Sequence, residues 1–446
     1  MEPTRSDRQT TRVEFDAGVV RGCRVEPSAV RSFLRLVDRP RFAWAVGKTT
    51  VAGGGTAARV TARGSGRFGA VRERARQLFD RLRTADVPDA AAPRLYGGFA
   101  FTDAHEAGTS DTWAGYPGAM FVLPAVQLSL TPDGAWLTAA ATGPGADERV
   151  GARLERWRAR LAALPALEPT PPPGVDTLSY TPSRRTWHSQ VEAAVERIRR
   201  GDLEKVALAQ SLTAGLARPT VPADIVARLS DPYPDCDRFL FAPERGGAFF
   251  GATPERLVTV RDTTVETEAL AGSIGRGDTP AADERLATDL EDSEKNSHEH
   301  ALVVEAIRDQ LGTVAREIQT GERTVRRLAN VQHLRTPIRG TLRRDAHVLE
   351  LVEALHPTPA VGGLPPDEAL ATIRETEAFD RGWYAAPVGW FDADGNGTFS
   401  VAIRSGIATD RQVTMFAGAG IVADSDPDRE WEELQLKYRP VLDELS

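Results

Sequence analysis

Read for its alternation of apolar and polar positions, the chain changes texture once, at a proline-rich stretch. Before it, residues 95–101 and 119–130 alternate or run apolar as buried strands do. Asp133-Gly134 marks a hairpin turn into a further strand over 135–141. A strand over 11–20 and helices over 71–82 and 148–164 complete this half. The break is 165–174, with Pro171-Pro172-Pro173 inside it. Beyond it the spacing predicts a helix over 187–200, with Val191, Ala194, Val195 and Ile198 on one face and Gly201 as its stop.

A strand over 203–210 follows, on which Leu203, Lys205, Ala207 and Ala209 share a face. Short strands over 248–251 and 257–260 flank Ala252-Thr253-Pro254-Glu255, and 264–270 leads to a small-residue turn at Ala271-Gly272-Ser273. The helix beginning at Glu294 has Ser293 as its cap and Val303, Ile307 and Leu311 as its apolar stripe. Lys295 and Glu299 lie one turn apart on it. They read either as a solvated pair or as a carboxylate turned inward beside that stripe. Strands over 388–391 and 398–404 pair about the turn at 392–397, and Ser400, Ala402 and Arg404 share a face of the second. That turn imitates a calcium loop, but its twelfth position is Ile403 where the loop needs glutamate. Residues 415–422 read as a strand running into a glycine-rich turn. The last helix opens on Asp426 as cap and Pro427 at its first position, with Glu430, Glu433 and Lys437 on one face.

Composition narrows the classes. At 446 residues the chain can bury a large core as one domain or several. Cys23 and Cys236 are too few for a disulfide framework or a cysteine zinc site, which points to a reducing cytoplasm. The start, MEPTRSDRQTTR, lacks the apolar core of a secretory signal, and no run approaches eighteen apolar residues. A net charge of -8 with both signs mixed along the chain argues against nucleic acid.

Nearly all the basic residues are arginine; the lysines are Lys48, Lys205, Lys295 and Lys437. Lysine, unlike arginine, can give up its proton, so these four positions are candidates for chemistry. Lys48 sits in Gly47-Lys48-Thr49-Thr50, but a phosphate loop needs glycine where Phe42 stands. Lys205 lies among small apolar residues, either snorkelling or buried for a purpose. Carboxylates on two helices, without histidine or cysteine partners, suit a hard cation such as Mg²⁺. His298 and His300 are two apart on a helix and face different ways.

Several runs, in this order, resemble the chorismate-utilising enzymes, and within them the isochorismate synthases. They are Gly201-Asp202-Leu203-Glu204-Lys205-Val206, Gly251-Ala252-Thr253-Pro254-Glu255-Arg256-Leu257, Thr267-Glu268-Ala269-Leu270-Ala271-Gly272-Ser273 and Lys295-Asn296-Ser297-His298-Glu299-His300. Then come Val331-Gln332-His333-Leu334, His356-Pro357-Thr358-Pro359-Ala360-Val361-Gly362-Gly363, Ala402-Ile403-Arg404-Ser405, Ala417-Gly418-Ala419-Gly420-Ile421-Val422 and Glu430-Trp431-Glu432-Glu433. The resemblance covers about 180–446. It implies an α+β sandwich of two large antiparallel sheets with helices outside. The divergent part, 1–165, would contribute strands to it, and the linker at 166–176 would not isolate the chorismate-binding region, 177–446.

The resemblance also implies a reaction in which water adds at C2 of chorismate while the C4 hydroxyl leaves. Such a reaction needs a base and an acid. Lys205 matches the family's base and Glu255 its acid, and burial would push each toward the form it needs. Glu299 and Glu433 match Mg²⁺ ligands, with Glu430 acting through water. Arg404 matches the clamp on the enolpyruvyl carboxylate, with Lys437 and the backbone at Gly418 and Gly420; Ser273, His333, Ala360 and Tyr384 match pocket lining. Ala271 stands where aminodeoxychorismate synthases often place a lysine. Lys205 is absent from anthranilate synthases, and Ala360 stands where salicylate synthases tend to carry threonine. Glu268-Ala269 resembles the synthases serving menaquinone more than siderophores; Gly362-Gly363 departs from the family pattern. Salicylate-synthase or anthranilate-synthase-like activity, or a dead binding subunit, are the competing readings. The water-using reading implies no glutamine amidotransferase partner, and a monomer or weak homodimer.

Overall fold

The computed structural model describes residues 15–84, 87–106, 108, 110–165, 167 and 170–446. Among them, strands and helices form an α+β architecture around a 21-stranded antiparallel network with one short parallel pairing, Gly18–Val25 against Leu82–Thr84. Hydrogen bonding runs unbroken through this network, linking the strands of the α+β fold that the resemblance implies. Both halves of the chain contribute. Arg41–Val46 pairs with Asp237–Ala242, and Leu95–Phe99 pairs with Pro387–Phe391. One apolar core accordingly runs from Val20 to Leu445.

The proline-rich stretch is fastened at both ends. Ser32 donates to the Pro165 carbonyl at 2.8 Å, and the Gly174 amide donates to Leu445 at 2.9 Å. The strand Val175–Thr181 already begins within 166–176. The first strand runs from Gly18 to Val25 where 11–20 was expected, and residues 11–14 of that expectation lie outside the described residues.

Four departures from the sequence pattern shape the site. The strand carrying Lys205 is Lys205–Leu216, so it starts at the lysine and excludes Leu203. The expected turn at Ala271-Gly272-Ser273 is a bulge inside the long strand Thr264–Gly275. Its register slips between Ala271 and Ser273, with Gly272 at φ +77, a conformation glycine adopts without cost. The glycine-rich stretch is also strand, Gln412–Ile421, paired in register with the lysine strand so that Gly420 faces Ala207 and Gly418 faces Ala209. The strand Gly397–Val401 ends before Arg404, whose φ of +52 turns the chain into Ser405–Ala408. That left-handed residue breaks the period-two alternation, so Arg404 does not share a strand face with Ser400 and Ala402.

Two helices bring carboxylates to this layer. Glu294–Gly312 is capped by Ser293, whose hydroxyl accepts from the Asn296 amide, and it buries Val303, Ile307 and Leu311 against Thr264–Gly275. Pro427–Leu442 is capped by Asp426 and packs on Gln412–Ile421.

Candidate active site

Between these helices and strands lies a cavity of about 490 Å³. Lys205, Glu255, Ser273, Glu299, His333, Ala360, Tyr384, Arg404, Gly418, Gly420, Glu430, Glu433 and Lys437 all line it, so every residue nominated from the sequence reaches one chamber. Lys205 is 1% exposed, and its ammonium contacts Glu299 Oε1 at 2.6 Å. Gly420 makes this approach possible, because a β-carbon there would stand 2.8 Å from Lys205 Cε and 2.9 Å from Glu299 Oε1. Burial resists the charge on Glu299, but the adjacent Lys205 ammonium outweighs it, and the carboxyl's pKa falls below its ordinary value.

Glu255 experiences the opposite balance. It is 6% exposed, and burial, reinforced by the Glu268 carboxylate, lifts its pKa to about 7 despite Lys205 nearby. Its backbone is pinned on both sides, the amide to Thr253 Oγ1 at 3.2 Å and the carbonyl to the Val401 amide at 3.0 Å. Thr358 donates to its carboxyl at 3.4 Å. A carboxyl held in this way carries a proton near neutral pH and can donate it.

On another wall, Arg404 donates from Nη2 to His333 Nε2 at 3.2 Å, and His333 Nδ1 meets Ser273 Oγ at 2.9 Å. A guanidinium only donates, so Nε2 is the accepting nitrogen and Nδ1 carries the proton. Burial first and the Arg404 charge second push the His333 pKa well below its ordinary value, so the ring is neutral. Lys437 bonds the Gly418 carbonyl at 2.7 Å and Glu433 at 2.5 Å.

Lys295 and Glu299 do not pair with each other. Lys295 reaches Glu430 at 3.5 Å, while Glu299 takes Lys205. The carboxylate one turn beyond Lys295 is therefore the inward-facing one of the two readings. His298 is exposed and His300 buried, bonding Thr336 at 2.8 Å. Sequence reasoning missed Thr358, Glu377 and Arg381, and gave Lys295 no role in the cavity. Thr358 and Lys295 stood inside quoted motifs; Arg381 had no local signal, being one arginine among dozens.

A model described as chorismate binding enzyme matches residues 19–446. The chain belongs to the chorismate-binding enzyme family. Among curated relatives of this family, the salicylate biosynthesis isochorismate synthase of Pseudomonas aeruginosa is 39% identical over 370 residues, 81% of this chain and 76% of that one. Isochorismate synthase MenF of Bacillus subtilis is 37% identical over 360 residues, 80% of this chain and 75% of its own length. The solved structure of MenF, the menaquinone-specific isochorismate synthase from Escherichia coli, superposes with a TM-score of 0.80 at 26% identity, covering 98% of this chain and 97% of that one. No helix among the described residues is long and apolar enough to cross a membrane.

Among the described residues no three histidine, cysteine or acidic side chains close around a point by themselves. The acidic wall nevertheless fits a hard cation that takes some of its ligands from substrate and water. Glu430 is nearly buried, and its pKa is raised by that burial and then by the Glu433 carboxylate. Two carboxylates that repel each other at the rim of a cavity form a donor set that a divalent cation relieves.

Proposed function

We propose that this chorismate-binding enzyme is an isochorismate synthase, an isomerase that adds water at C2 of chorismate and removes the C4 hydroxyl. The observation that carries the reading is a buried carboxyl, Glu255, holding its proton near neutrality in the same cavity as a buried lysine, Lys205. Lys205, in its neutral amine form, takes a proton from water as the water oxygen bonds to C2. Glu255 gives its proton to the C4 hydroxyl, which leaves as water, so atoms and charge balance across the ring. Arg404 and Lys437, with the backbone at Gly418 and Gly420, hold the substrate's carboxylate; His333, neutral and fixed by Ser273, orients Arg404. Ala360 and Tyr384 shape the wall. Mg²⁺ held by Glu299 and Glu433, with Glu430 through water, would neutralise the ring carboxylate.

Water in place of ammonia as the nucleophile means that no amidotransferase partner is needed, and the enzyme acts as a monomer or weak homodimer. Two free cysteines, Cys23 and Cys236, accord with a cytoplasmic location, and Glu268-Ala269 favours a menaquinone role. Purified protein given chorismate and Mg²⁺ without any nitrogen source should form isochorismate. Salicylate as the product, anthranilate on adding ammonium, or no turnover would overturn the reading.

A further inference from the structure

The lysine strand has a gap along one edge. Gln412–Ile421 covers its other edge from Val206 to Gly215. On the open edge, Gly363 and Leu364 pair only with Val206 and Lys205, and Val175–Thr181 pairs only from Ser211 onward. The Ala207 amide still donates to the Gly362 carbonyl at 2.9 Å, but the Ala207 carbonyl and the Ala209 amide beyond it point where no strand runs. A buried ion pair stands there. Arg381 Nη2 donates to the Ala207 carbonyl at 2.7 Å, and Glu377 Oε1 accepts from the Ala209 amide at 2.8 Å. The two side chains are joined through Arg381 Nε to Glu377 Oε2 at 2.8 Å and by a second bond from Nη2, each side chain being 4% exposed.

The pair thus offers a donor and an acceptor at the spacing of alternate residues, as an edge strand would. It also reaches further. Arg381 Nη1 donates to the Val361 carbonyl at 2.8 Å, next to Ala360, and the Arg381 carbonyl accepts the Tyr384 amide at 2.8 Å. The guanidinium lies 4.3 Å from the Phe101 ring centre, which closes its outer side. One planar fork is therefore bonded to the strand that begins at Lys205 and to the segment bearing Ala360, while its backbone fixes Tyr384.

We propose that Glu377 and Arg381 are positioning residues that replace a missing strand and set Lys205 at its working distance from the Ala360–Tyr384 wall. The assignment rests on the isochorismate synthase reading, because Lys205 must act there for its position to matter. Arginine is required for the geometry: only its fork can meet the Ala207 carbonyl, the Val361 carbonyl and Glu377 together. Lysine would keep the charge and satisfy one acceptor.

The test compares wild type with R381K, R381M and the double variant E377Q/R381M, in which no buried charge is left without its partner. Wild type must first form isochorismate; if it does not, the functional reading fails and the Ala209 measurement below still tests the pair. In R381M kcat should fall about a hundredfold, as expected for a reacting group displaced by about 1 Å, with KM and calorimetric chorismate affinity changed less than about threefold. R381K should recover part of the loss. The double variant should fold and still show the kcat defect, and amide exchange at Ala209 should quicken in it at least about tenfold. Wild-type kcat in the folded double variant would overturn the proposal. So would loss of binding in proportion to rate, a defect that vanishes on cooling below the thermal midpoint, or unchanged exchange at Ala209.

Discussion

Replacing Glu255 by glutamine should abolish the forward reaction and, at alkaline pH, stabilise the fold. The carboxyl is held at about 7 against an ordinary 4.5, with burial as the first cause and the Glu268 carboxylate as the second. Below pH 4.5 it is protonated in both folded and unfolded chains, so it adds no pH dependence. Between 4.5 and 7 the folded protein keeps a proton that the unfolded chain releases, and stability falls as pH rises. Above 7 the full penalty is present, on the order of 3 kcal/mol at about 1.4 kcal/mol per pH unit. Glutamine has the same shape, can accept from Thr358 and never ionises. Urea unfolding of wild type and Glu255→Gln should therefore give similar stabilities near pH 4 and a variant more stable by about 2–3 kcal/mol near pH 8.5. The forward rate should fall by about a hundred- to ten-thousandfold, because the amide cannot protonate a leaving hydroxyl. A stability difference that does not grow with pH would refute the buried-acid reasoning, and substantial turnover by the variant would refute the role.

Lys205→Ala should lower the rate by at least about a hundredfold while chorismate still binds with Mg²⁺ in calorimetry; retained turnover would remove the lysine from the mechanism. Glu299→Gln and Glu433→Gln should each lose Mg²⁺-dependent turnover, a metal's contribution being on the order of several kcal/mol, with unchanged circular dichroism. Ordinary rates at ordinary Mg²⁺ would exclude them as ligands. Arg404→Lys should weaken chorismate binding roughly tenfold or more, because lysine gives up the fork and its bond to His333. An unchanged KM would place the carboxylate elsewhere.

The sequence disclosed the residues that line the cavity better than the geometry that presents them. Lys205 was visible because a lysine among alanines on a strand breaks the apolar pattern, and Asp426-Pro427 fixed the start of the last helix by local capping alone. Partner choice was not visible. Lys295 and Glu299 have the spacing of a helical pair, yet each is drawn to a carboxylate or ammonium more than ninety residues away, since tertiary packing decides which charges meet. Gly418 and Gly420 read as a turn because glycine is the usual turn residue; here they admit Tyr384 and Lys205 to the face of a strand. Gly272 likewise marks a bulge that only cross-strand register reveals. Arg381 gave little signal, because two of its partners are backbone carbonyls of distant segments, Ala207 and Val361, and only the third, Glu377, is a nearby side chain.

The interleaving of the two halves has a consequence for how the chain is made. When the first 165 residues leave the ribosome, the strands Arg41–Val46 and Leu95–Phe99 each lack a neighbour that has yet to be synthesised, since their partners are Asp237–Ala242 and Pro387–Phe391. The first edge must wait for about half of the polypeptide and the second for most of it, which makes assembly slow and the nascent chain prone to wrong pairings. The amino-terminal part cannot be trimmed away as an accessory: a fragment beginning at residue 177 would expose the edges that it covers.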